Sequence, residues 1–408
     1  MSVKGKTILI ISGGVEAVPI IAEAKAMGLN VAVSDGNAAA PGFDLADFRL
    51  VASTYEPEKT AELARDLSAR HRIDGVMAAA ADVPCTVAAV AEALGLPSTG
   101  HDAARIVSDK FLMKEIFKNH GVPIPWFGLV ESGAHLKVIL QARNVVIKPV
   151  DSRGARGVIR VTPGVDPEWA YSESLKHSPS GRVMAEEWVS GRQISTESIV
   201  TEDGVMTPGL SDRNYQYLER FAPFVIEDGG DLPALLTDDE RKAIDTVISC
   251  VADSLSIRRG TIKGDIVMGK DGPVVIEVAI RLSGGYFCSH TIPLSTGANF
   301  VEAAILLALG EKIDINEYRP RFSRSVCQRF IFPEPGTITR VEVPEIKDEN
   351  LMMMRVYVKE GDKVVKMTSH PCRAGMAITS GDTREEAQKT MARALSKIIV
   401  EVSPAMTV

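Results

Sequence analysis

The stretch NVVIKPVDSRGARGVIRV, residues 144–161, places three basic side chains around a short loop between two apolar runs. Lys148 ends the first run, and glycines at two loop positions let backbone N–H groups approach an anion closely. A polyphosphate explains the lysine, the arginines and the glycines together, whereas a solvated hairpin turn explains each of them singly. The candidate phosphate-binding loop consists of Ser152, Arg153, Gly154, Ala155, Arg156 and Gly157.

A second segment, GDIVMGKDGPVVIEVAIRLSGG at 264–285, is typical of a β-hairpin. Lys270-Asp271-Gly272 predicts a three-residue loop with glycine in the left-handed position, and Asp265 then lies opposite Glu277. Two facing carboxylates are unfavourable unless a cation lies between them. Magnesium prefers such oxygen ligands, together with phosphate oxygens. A two-residue Asp-Gly turn would slip the register by one and place the carboxylates on opposite faces, so both registers stay open.

Arg281 follows this hairpin and precedes the tripeptide Ser-Gly-Gly at 283–285. A guanidinium fork beside an approachable backbone suits an anionic substrate. Cys288 and His290 come next, and packed side chains are a better interpretation of them than a nucleophile and its base.

The segment VMAEEWVSGRQISTES at 183–198 is typical of an apolar strand that ends in two carboxylates, Glu186 and Glu187. Trp188 and Val189 follow them. The free backbone of an edge strand could bind a flat base, with Trp188 or Val189 against the ring. An edge strand protected by charge explains the same residues.

The first turn, Gly13-Gly14 followed by Asp35 at the end of the next strand, invites comparison with a dinucleotide site. The nicotinamide fingerprint needs a third glycine that this sequence lacks. A tight turn between strand and helix is therefore the better interpretation, although its helix N-terminus could still meet a phosphate or substrate.

Composition limits the class of protein. The 408 residues carry 46 basic and 53 acidic side chains, a net charge of −7, which argues against a nucleic-acid partner. Five cysteines, with no CxxC pair, argue against disulfides and structural zinc. No stretch approaches the roughly 20 apolar residues that span a bilayer. We expect a cytoplasmic protein without a membrane or nucleic-acid partner.

Alternating strand and helix patterns over residues 1–105 predict a parallel sheet with helices on both faces. Helices are also expected over 108–125, 234–255, 299–310 and from Thr383 to about Val400, where Thr383 and Glu386 form a capping box. The region after Pro320 is rich in strand patterns.

In their order and spacing these motifs resemble the ATP-grasp superfamily of carboxylate–amine ligases, over essentially the whole chain. The L-amino acid ligases, the biotin-carboxylase-like enzymes and ATP-dependent phosphoribosylglycinamide formyltransferase look most similar. The resemblance implies a mixed α/β and α+β fold: an N-terminal parallel α/β domain (1–105), an ATP-grasp domain (106–320) whose lid covers about 125–195, and an α+β part (321–408) that completes the core.

The resemblance also implies roles for individual residues. The lysines at 110 and 148 match the two phosphate-contacting lysines, and 151–157 match the mobile lid over the triphosphate. Gln193 stands where the family usually has a ribose-binding glutamate, and Ala279 where many members have a third metal ligand, so the number of metal ions stays open. The implied sites are, for ATP, Lys110, Lys148, 152–157, Glu186, Glu187, Trp188, Val189 and Gln193; for metal, Asp265 and Glu277; for catalysis, Arg281 and Lys148; and for substrate, Arg281, Ser283, Gly284, Gly285, Tyr286, Glu16 and Asp82.

The resemblance implies an enzyme that uses ATP with Mg²⁺, or Mn²⁺ in its place. A substrate carboxylate takes the γ-phosphoryl group to give an acyl phosphate, and an amine displaces phosphate to form an amide. Three alternatives stay open: a relative that activates bicarbonate or formate, a weak ATP-binding module, and a nicotinamide dehydrogenase. Attached biotin is not expected, because no Met-Lys-Met sequence is present. Many relatives form dimers, so a homodimer is an expectation by analogy.

Overall fold

The computed structural model describes residues 3–404, and the first part of the chain forms a four-stranded parallel sheet. Its elements are β1 (Thr7–Ile11), α1 (Val18–Ala26), β2 (Asn30–Asp35), β3 (Phe48–Val51), α2 (Pro57–Ser68), β4 (Gly75–Ala78), α3 (Pro84–Leu94) and α4 (His101–Ser108). The strand order is β3-β2-β1-β4, and every pairing is parallel. The parallel α/β prediction for this region is confirmed.

A second, antiparallel sheet of four strands has the order β5-β8-β6-β7. Its elements and the helix before it are α5 (Lys110–Asn119), β5 (Phe127–Val130), α6 (Gly133–Leu140), β6 (Val145–Pro149), β7 (Ile159–Val161), α7 (Pro167–Leu175) and β8 (Val183–Glu187). The expectation that 183–187 forms an edge strand is wrong, because β8 lies between β5 and β6 with four of its five residues buried.

The third sheet has eight strands, β13-β12-β9-β10-β11-β14-β18-β16, and a small sheet, β17-β15-β19, lies apart from it. The elements are β9 (Arg192–Thr201), β10 (Gly204–Asn214), α8 (Leu218–Phe221), β11 (Gly229–Leu232), α9 (Asp238–Ser254), β12 (Gly260–Gly269), β13 (Gly272–Ala279), α10 (Ile292–Thr296), α11 (Phe300–Ala308), β14 (Ser325–Ile331), β15 (Gly336–Glu342), β16 (Leu351–Val356), β17 (Lys363–Val364), β18 (Gly375–Gly381), α12 (Arg384–Leu395) and β19 (Ile399–Pro404). Strands from beyond residue 320 thus complete the same sheet as strands before it. The boundaries at 105 and 320 remain proposals.

The two faces of this eight-stranded sheet differ in chemistry. On one face, Ile194, Leu210 and Ile266 pack against Ile244 and Ile248 of α9. Because side chains alternate across a strand, the residues between them point the other way. That opposite face carries polar and charged residues and forms the floor of a large cavity: Gln193, Ser195, Ser211, Arg213, Lys263, Asp265, Glu277 and Gln328.

The turn of the β12–β13 hairpin is neither of the two that the sequence left open. Gly269 pairs with Gly272, so the turn has two residues, Lys270 and Asp271, and the predicted three-residue loop is wrong. A β-bulge then shifts the register between Asp265 and Ile266. The extra residue that a bulge inserts returns Asp265 to a position opposite Glu277. The predicted carboxylate pair is confirmed, although the bulge and not the loop produces it.

Several helices begin at a residue whose side chain caps the first turn. Thr237 and Glu240 form a capping box at the start of α9, within the predicted helix 234–255. At α12 the Thr383 hydroxyl caps as predicted, but the Glu386 carboxylate accepts from the Asp382 amide instead. The expected helix to Val400 ends at Leu395, because the chain that follows pairs with β15. Within residues 3–404 no helix has the length and apolarity needed to cross a bilayer.

Candidate active site

A cavity of about 750 Å³ lies between the polar face of the eight-stranded sheet, the β5-β8-β6-β7 sheet and the carboxyl ends of the parallel strands. Its lining includes every residue of the sequence-predicted site except Gly157 and Tyr286. Gly157 ends the glycine loop, where a Cβ would lie 3.0 Å from the Pro149 ring. Tyr286 is 1% exposed and belongs to the hydrophobic core, with His290 packed edge-on against its ring.

A buried ion cluster holds Lys148 in place. The Glu186 carboxylate pairs with Lys148 and, at 2.8 Å, with Lys114, whose ammonium also donates to the Val275 carbonyl at 2.7 Å. Burial lowers the pKa of Lys114 to about 8. Burial acts to raise the pKa of Glu186, but the two lysines outweigh it and the pKa is lowered. Glu186 therefore positions a lysine instead of presenting its side chain to a base.

Lys114 was missed by the sequence reasoning. It lies four residues after Lys110, so both lysines project from the same face of α5. Lys110 donates to the Ser152 carbonyl at 2.6 Å and lies 3.2 Å from Glu277 Oε1. The i,i+4 lysine spacing in SDKFLMK was the available signal. Through Lys110 and Lys114, one face of α5 thus contacts the glycine loop, the hairpin and the buried ion cluster.

The glycine loop has three residues at positive φ, Gly154, Ala155 and Gly157. Arg153 lies 3.6 Å from the Asp82 carboxylate and stacks on the Tyr55 ring, both in loops of the parallel sheet. On the other side, the His370 amide donates to the Gly154 carbonyl at 3.0 Å. The loop therefore lines the cavity and contacts both the N-terminal domain and the chain near His370.

The hairpin carboxylates lie among cations. Asp265 Oδ1 contacts Arg213 at 2.6 Å, Lys263, and the Ser195 hydroxyl at 3.4 Å. Burial opposes ionisation, but the two cations outweigh it and hold the pKa of Asp265 far below its usual value. These three contacts converge on one oxygen of the carboxylate, which leaves Oδ2 for another ligand.

The same carboxylates fit a magnesium ion. Glu277 is also kept ionised, since Lys110 and Lys148 outweigh the effect of burial on its pKa. No group of three or more histidine, cysteine, aspartate or glutamate side chains with metal-binding geometry occurs in residues 3–404. Two carboxylates, completed by phosphate oxygens and water, are a ligand set that magnesium accepts.

Two backbone amides of the segment expected to bind adenine already donate hydrogen bonds within the protein. The Glu187 amide donates to the Trp126 carbonyl at 2.9 Å, and the Trp188 amide donates to the Asn144 carbonyl at 2.8 Å. Strand pairing inside the sheet consumes these donors, so neither can bind a base. Val189 and Gln193 remain at the cavity wall as candidates for the base and the ribose.

The Ser-Gly-Gly loop is anchored by two acidic residues. Glu16 accepts from the Gly285 amide at 2.9 Å, and a Cβ at Gly284 would lie 2.7 Å from Glu16 Oε2. Glu197, fully buried on β9, accepts from both the Ser283 amide at 3.0 Å and the Ser283 hydroxyl. Burial raises the pKa of Glu197 to about 7. The sequence reasoning missed Glu197; its signal was a carboxylate inside the strand pattern ISTESIV.

Arg281 is weakly paired. Its Nε lies 3.9 Å from the Asp82 carboxylate, and one terminal nitrogen donates to the Leu282 carbonyl at 3.2 Å. Arg281 therefore keeps donors for a ligand in the cavity.

Cys288 and His290, which the sequence offered as a nucleophile and its base, are not arranged as a catalytic pair. Cys288 is buried, its thiol contacts the Ser283 carbonyl at 3.3 Å, and burial raises its pKa well above the usual value. His290 Nδ1 contacts the Ser289 hydroxyl instead of the cysteine. A nucleophile must be readily ionised, so this pair does not meet that requirement.

The Gly13-Gly14 turn is fastened by Asp35. The Asp35 carboxylate accepts from the amides of Gly13 and Asn37, both at 2.8 Å. In a dinucleotide site this acidic residue would face a ribose. Its use within the turn supports the tight-turn interpretation.

Three family models match consecutive parts of the chain. They are the ATP-grasp N-terminal domain at residues 21–98, the ATP-grasp domain at 107–285 and the L-amino acid ligase C-terminal domain 2 at 329–403. Together they cover most of the chain. The chain is a member of the ATP-grasp superfamily and an enzyme of its ligase class.

Individual relatives are more distant. The structure of L-amino acid ligase from Bacillus licheniformis has a TM-score of 0.82 and 23% identity, covering 98% of this chain and 100% of that one. The biotin carboxylase domain dimer of the Hydrogenobacter thermophilus 2-oxoglutarate carboxylase, in complex with MgADP, ADP and bicarbonate, has a TM-score of 0.74 and 19% identity, covering 97% and 91%. D-alanine–D-alanine ligase from Delftia acidovorans is 25% identical over 52% of this chain and 67% of its own. These likenesses establish the fold and leave the substrates open.

Proposed function

We propose that the protein uses ATP to convert a substrate carboxylate into an acyl phosphate, which an amine attacks to give an amide, ADP and phosphate. The observation that carries this proposal is that Lys110, Lys148 and Arg281 line the same cavity as the facing carboxylates Asp265 and Glu277. Phosphoryl transfer of this kind depends on positioning and charge neutralisation more than on a protein nucleophile. A cavity wall of preplaced cations meets that requirement.

In the first step a carboxylate oxygen attacks the γ-phosphorus, and the bond to ADP breaks. Lys148, fixed by Glu186, and Lys110, fixed by the Ser152 carbonyl, stabilise the phosphate charge. In the second step the amine nitrogen bonds to the acyl carbon, loses a proton and expels phosphate. Arg281 holds the acyl phosphate during both steps because its guanidinium keeps donors for an anion.

Asp265 and Glu277 would hold magnesium, which neutralises phosphate charge when bound. The glycine loop, with Arg153 on Asp82 and the Gly154 carbonyl on the His370 amide, covers the cavity mouth. Covering the mouth excludes water, which would otherwise hydrolyse the acyl phosphate.

The lining beside the Ser-Gly-Gly loop favours an organic carboxylate over bicarbonate or formate. Phe287, Phe330 and Tyr357 contribute aromatic surface there, and Gln328 Nε2 donates to the Gly285 carbonyl next to them. Aromatic walls gain free energy from burying carbon, which bicarbonate lacks beyond its single atom.

The test couples ADP release to hydroxamate formation. Purified protein is incubated with ATP, Mg²⁺, pooled L-amino acids or pooled small carboxylates, and hydroxylamine, which traps an acyl phosphate as a hydroxamate. Glu277→Gln is compared with Glu62→Gln, an exposed carboxylate on α2. We expect hydroxamate with at least one pool, a loss of 100-fold or more in Glu277→Gln, and an unchanged rate in Glu62→Gln.

ADP release that requires bicarbonate or formate, with no hydroxamate from either pool, would replace this proposal with the bicarbonate- or formate-activating alternative. ATP binding by calorimetry without turnover of any pool would support the ATP-binding module instead.

Two further expectations belong to this proposal. A homodimer is supported by the biotin carboxylase domain, whose structure is described as a dimer. A cytoplasmic location is supported by the five cysteines, all unpaired in the structure. Sedimentation velocity and cell fractionation test the two in turn.

A further inference from the structure

A second group of cations lies in the same cavity, beyond the residues assigned to ATP. Arg213 on β10 and Arg373, just before β18, both contact the carboxylate of Glu227, at 3.0 and 3.5 Å. Arg373 also donates to the Glu227 carbonyl at 2.6 Å. Neither arginine was singled out from the sequence. Arg213 also contacts Asp265, but the reaction steps proposed above use neither arginine.

The charges of this group do not balance. Arg213, Arg373 and Lys263 face two carboxylates, those of Glu227 and Asp265, which leaves one positive charge unmatched. Burial lowers the pKa of Arg373 despite its contact with Glu227. The positive charge of the Arg373 guanidinium is therefore only partly neutralised by its protein neighbours.

Their unused donors point to the same conclusion. The Nε atoms of Arg213 and Arg373 are buried and lack a hydrogen-bond partner among the described residues. Each guanidinium therefore keeps a donor that its contacts within the protein do not use.

Arg373 is held in a fixed orientation. Its guanidinium carbon lies 3.5 Å from the centroid of the Phe330 ring, and Phe330 lines the cavity. A guanidinium stacked on a ring keeps its in-plane donors free, which suits bidentate binding of a carboxylate or phosphate.

The group borders the substrate loop. Gln328 and Phe330 lie two residues apart on β14 and therefore point to the same face. Gln328 donates to the Gly285 carbonyl, and Phe330 carries Arg373. An anion on Arg373 would thus lie one side chain from the loop that presents the carboxylate substrate.

We propose that Arg373 and Arg213 form a subsite for an anionic group carried by the amine substrate. The amine is then an amino acid, whose carboxylate binds there, or a phosphorylated amine. This inference rests on the proposed ligase function and narrows it: the nucleophile must be an amine with a second, anionic anchor. A plain alkylamine should react poorly.

The test uses Arg373→Gln, with Arg329→Gln as its matched control. Arg329 lies on β14 next to Phe330, is 14% exposed against 13% for Arg373, and pairs with Asp231 at 2.8 Å, but it does not line the cavity. Each protein is assayed for hydroxamate, which needs no anionic amine, and for amide formation with pooled L-amino acids, pooled L-amino acid amides and phosphoethanolamine.

In the parent we expect amide formation with the amino acids or with phosphoethanolamine, and at least 20 times less with the amino acid amides. Arg373→Gln should raise KM for the anionic amine at least 20-fold while its hydroxamate rate changes less than threefold, and Arg329→Gln should match the parent in both. The arm that responds, amino acid or phosphoethanolamine, identifies the anion.

Equal use of neutral and anionic amines by the parent, or an unchanged KM in Arg373→Gln, would overturn the subsite. Absence of hydroxamate in the parent would instead refute the proposed function itself. Hydroxamate formation also reports folding of the variant, and Arg373→Lys, which keeps a charge but not the fork, should recover part of the affinity.

Discussion

Lys114 offers the most direct test of the buried cluster. Lys114→Met keeps a side chain of similar length but removes the charge that pairs with Glu186 and the donor to the Val275 carbonyl. Removing one partner from a buried ion pair costs about 3–5 kcal/mol. Lys148 still neutralises Glu186, so we place the expected loss in unfolding free energy near the lower limit, about 3 kcal/mol. Lys118→Met, one turn further along α5 and exposed, should change it by less than about 0.5 kcal/mol.

The buried position of Lys114 also predicts how the unfolding free energy should change with pH. The pKa of Lys114 is about 8 in the folded protein against 10.5 for the free side chain, so between these values the unfolded chain binds more protons. Stability from this group therefore rises with pH across that window, by up to about 3 kcal/mol. The gap in unfolding free energy between parent and Lys114→Met should widen from pH 8 towards pH 10.

Urea unfolding followed by tryptophan fluorescence, at pH 7.5, 8.5 and 9.5, measures both effects. The Lys118→Met protein corrects for titration elsewhere, because it shares every other group. A Lys114→Met protein as stable as Lys118→Met would refute the account of a charged lysine that pairs with Glu186. A gap that narrows as pH rises would refute the lowered pKa of Lys114.

Three further predictions concern single positions. Glu197→Gln imitates the protonated acid. The pKa of Glu197 is about 7 in the folded protein and 4.5 for the free side chain. Glu197 therefore contributes stability that is complete below pH 4.5 and is lost as pH rises through 7. The melting temperature of Glu197→Gln should therefore rise relative to the parent from pH 5 to pH 8, and a constant difference would contradict this. Gly284→Ala places a methyl group 2.7 Å from Glu16 Oε2, so hydroxamate formation should fall at least tenfold, and Glu16→Ala should restore part of it in the double variant. Thr237→Ala removes the α9 cap and should cost about 1 kcal/mol in urea unfolding, whereas Thr246→Ala, inside the same helix, should cost less.

The fold and much of the site could be predicted from the sequence, because both depend on local residue patterns. The alternation of strand and helix before residue 105 predicts the parallel sheet, and the glycine loop and hairpin fall where their residues indicate. The partners of buried charges were not predictable in the same way. Lys114 meets Glu186 across 72 residues and Glu197 meets Ser283 across 86, contacts that arise only when separate sheets pack.

The hairpin shows why a correct pairing can come from an incorrect local argument. The turn prediction used loop residues alone, whereas the pairing of Asp265 with Glu277 depends on a bulge whose position no residue type in the strand marks. The interior position of β8 was missed for a related reason. Two carboxylates at a strand end suggest exposure, yet one of them is neutralised by lysines from α5 and β6.

The distribution of charge across the cavity floor argues for two separate anion sites. At the hairpin end Lys110 and Lys148 contact Glu277 and Glu186, so an arriving triphosphate would have to share these lysines with carboxylates, and magnesium would relieve that competition. At the β14 end Arg373 faces Glu227 with donors to spare, and no metal is needed there. Between the two ends lies the Ser-Gly-Gly loop, anchored by Glu16 and Glu197. Burying so much charge is costly for folding. The cost is understandable if each end binds a different anion and the loop between them brings the two reacting groups together.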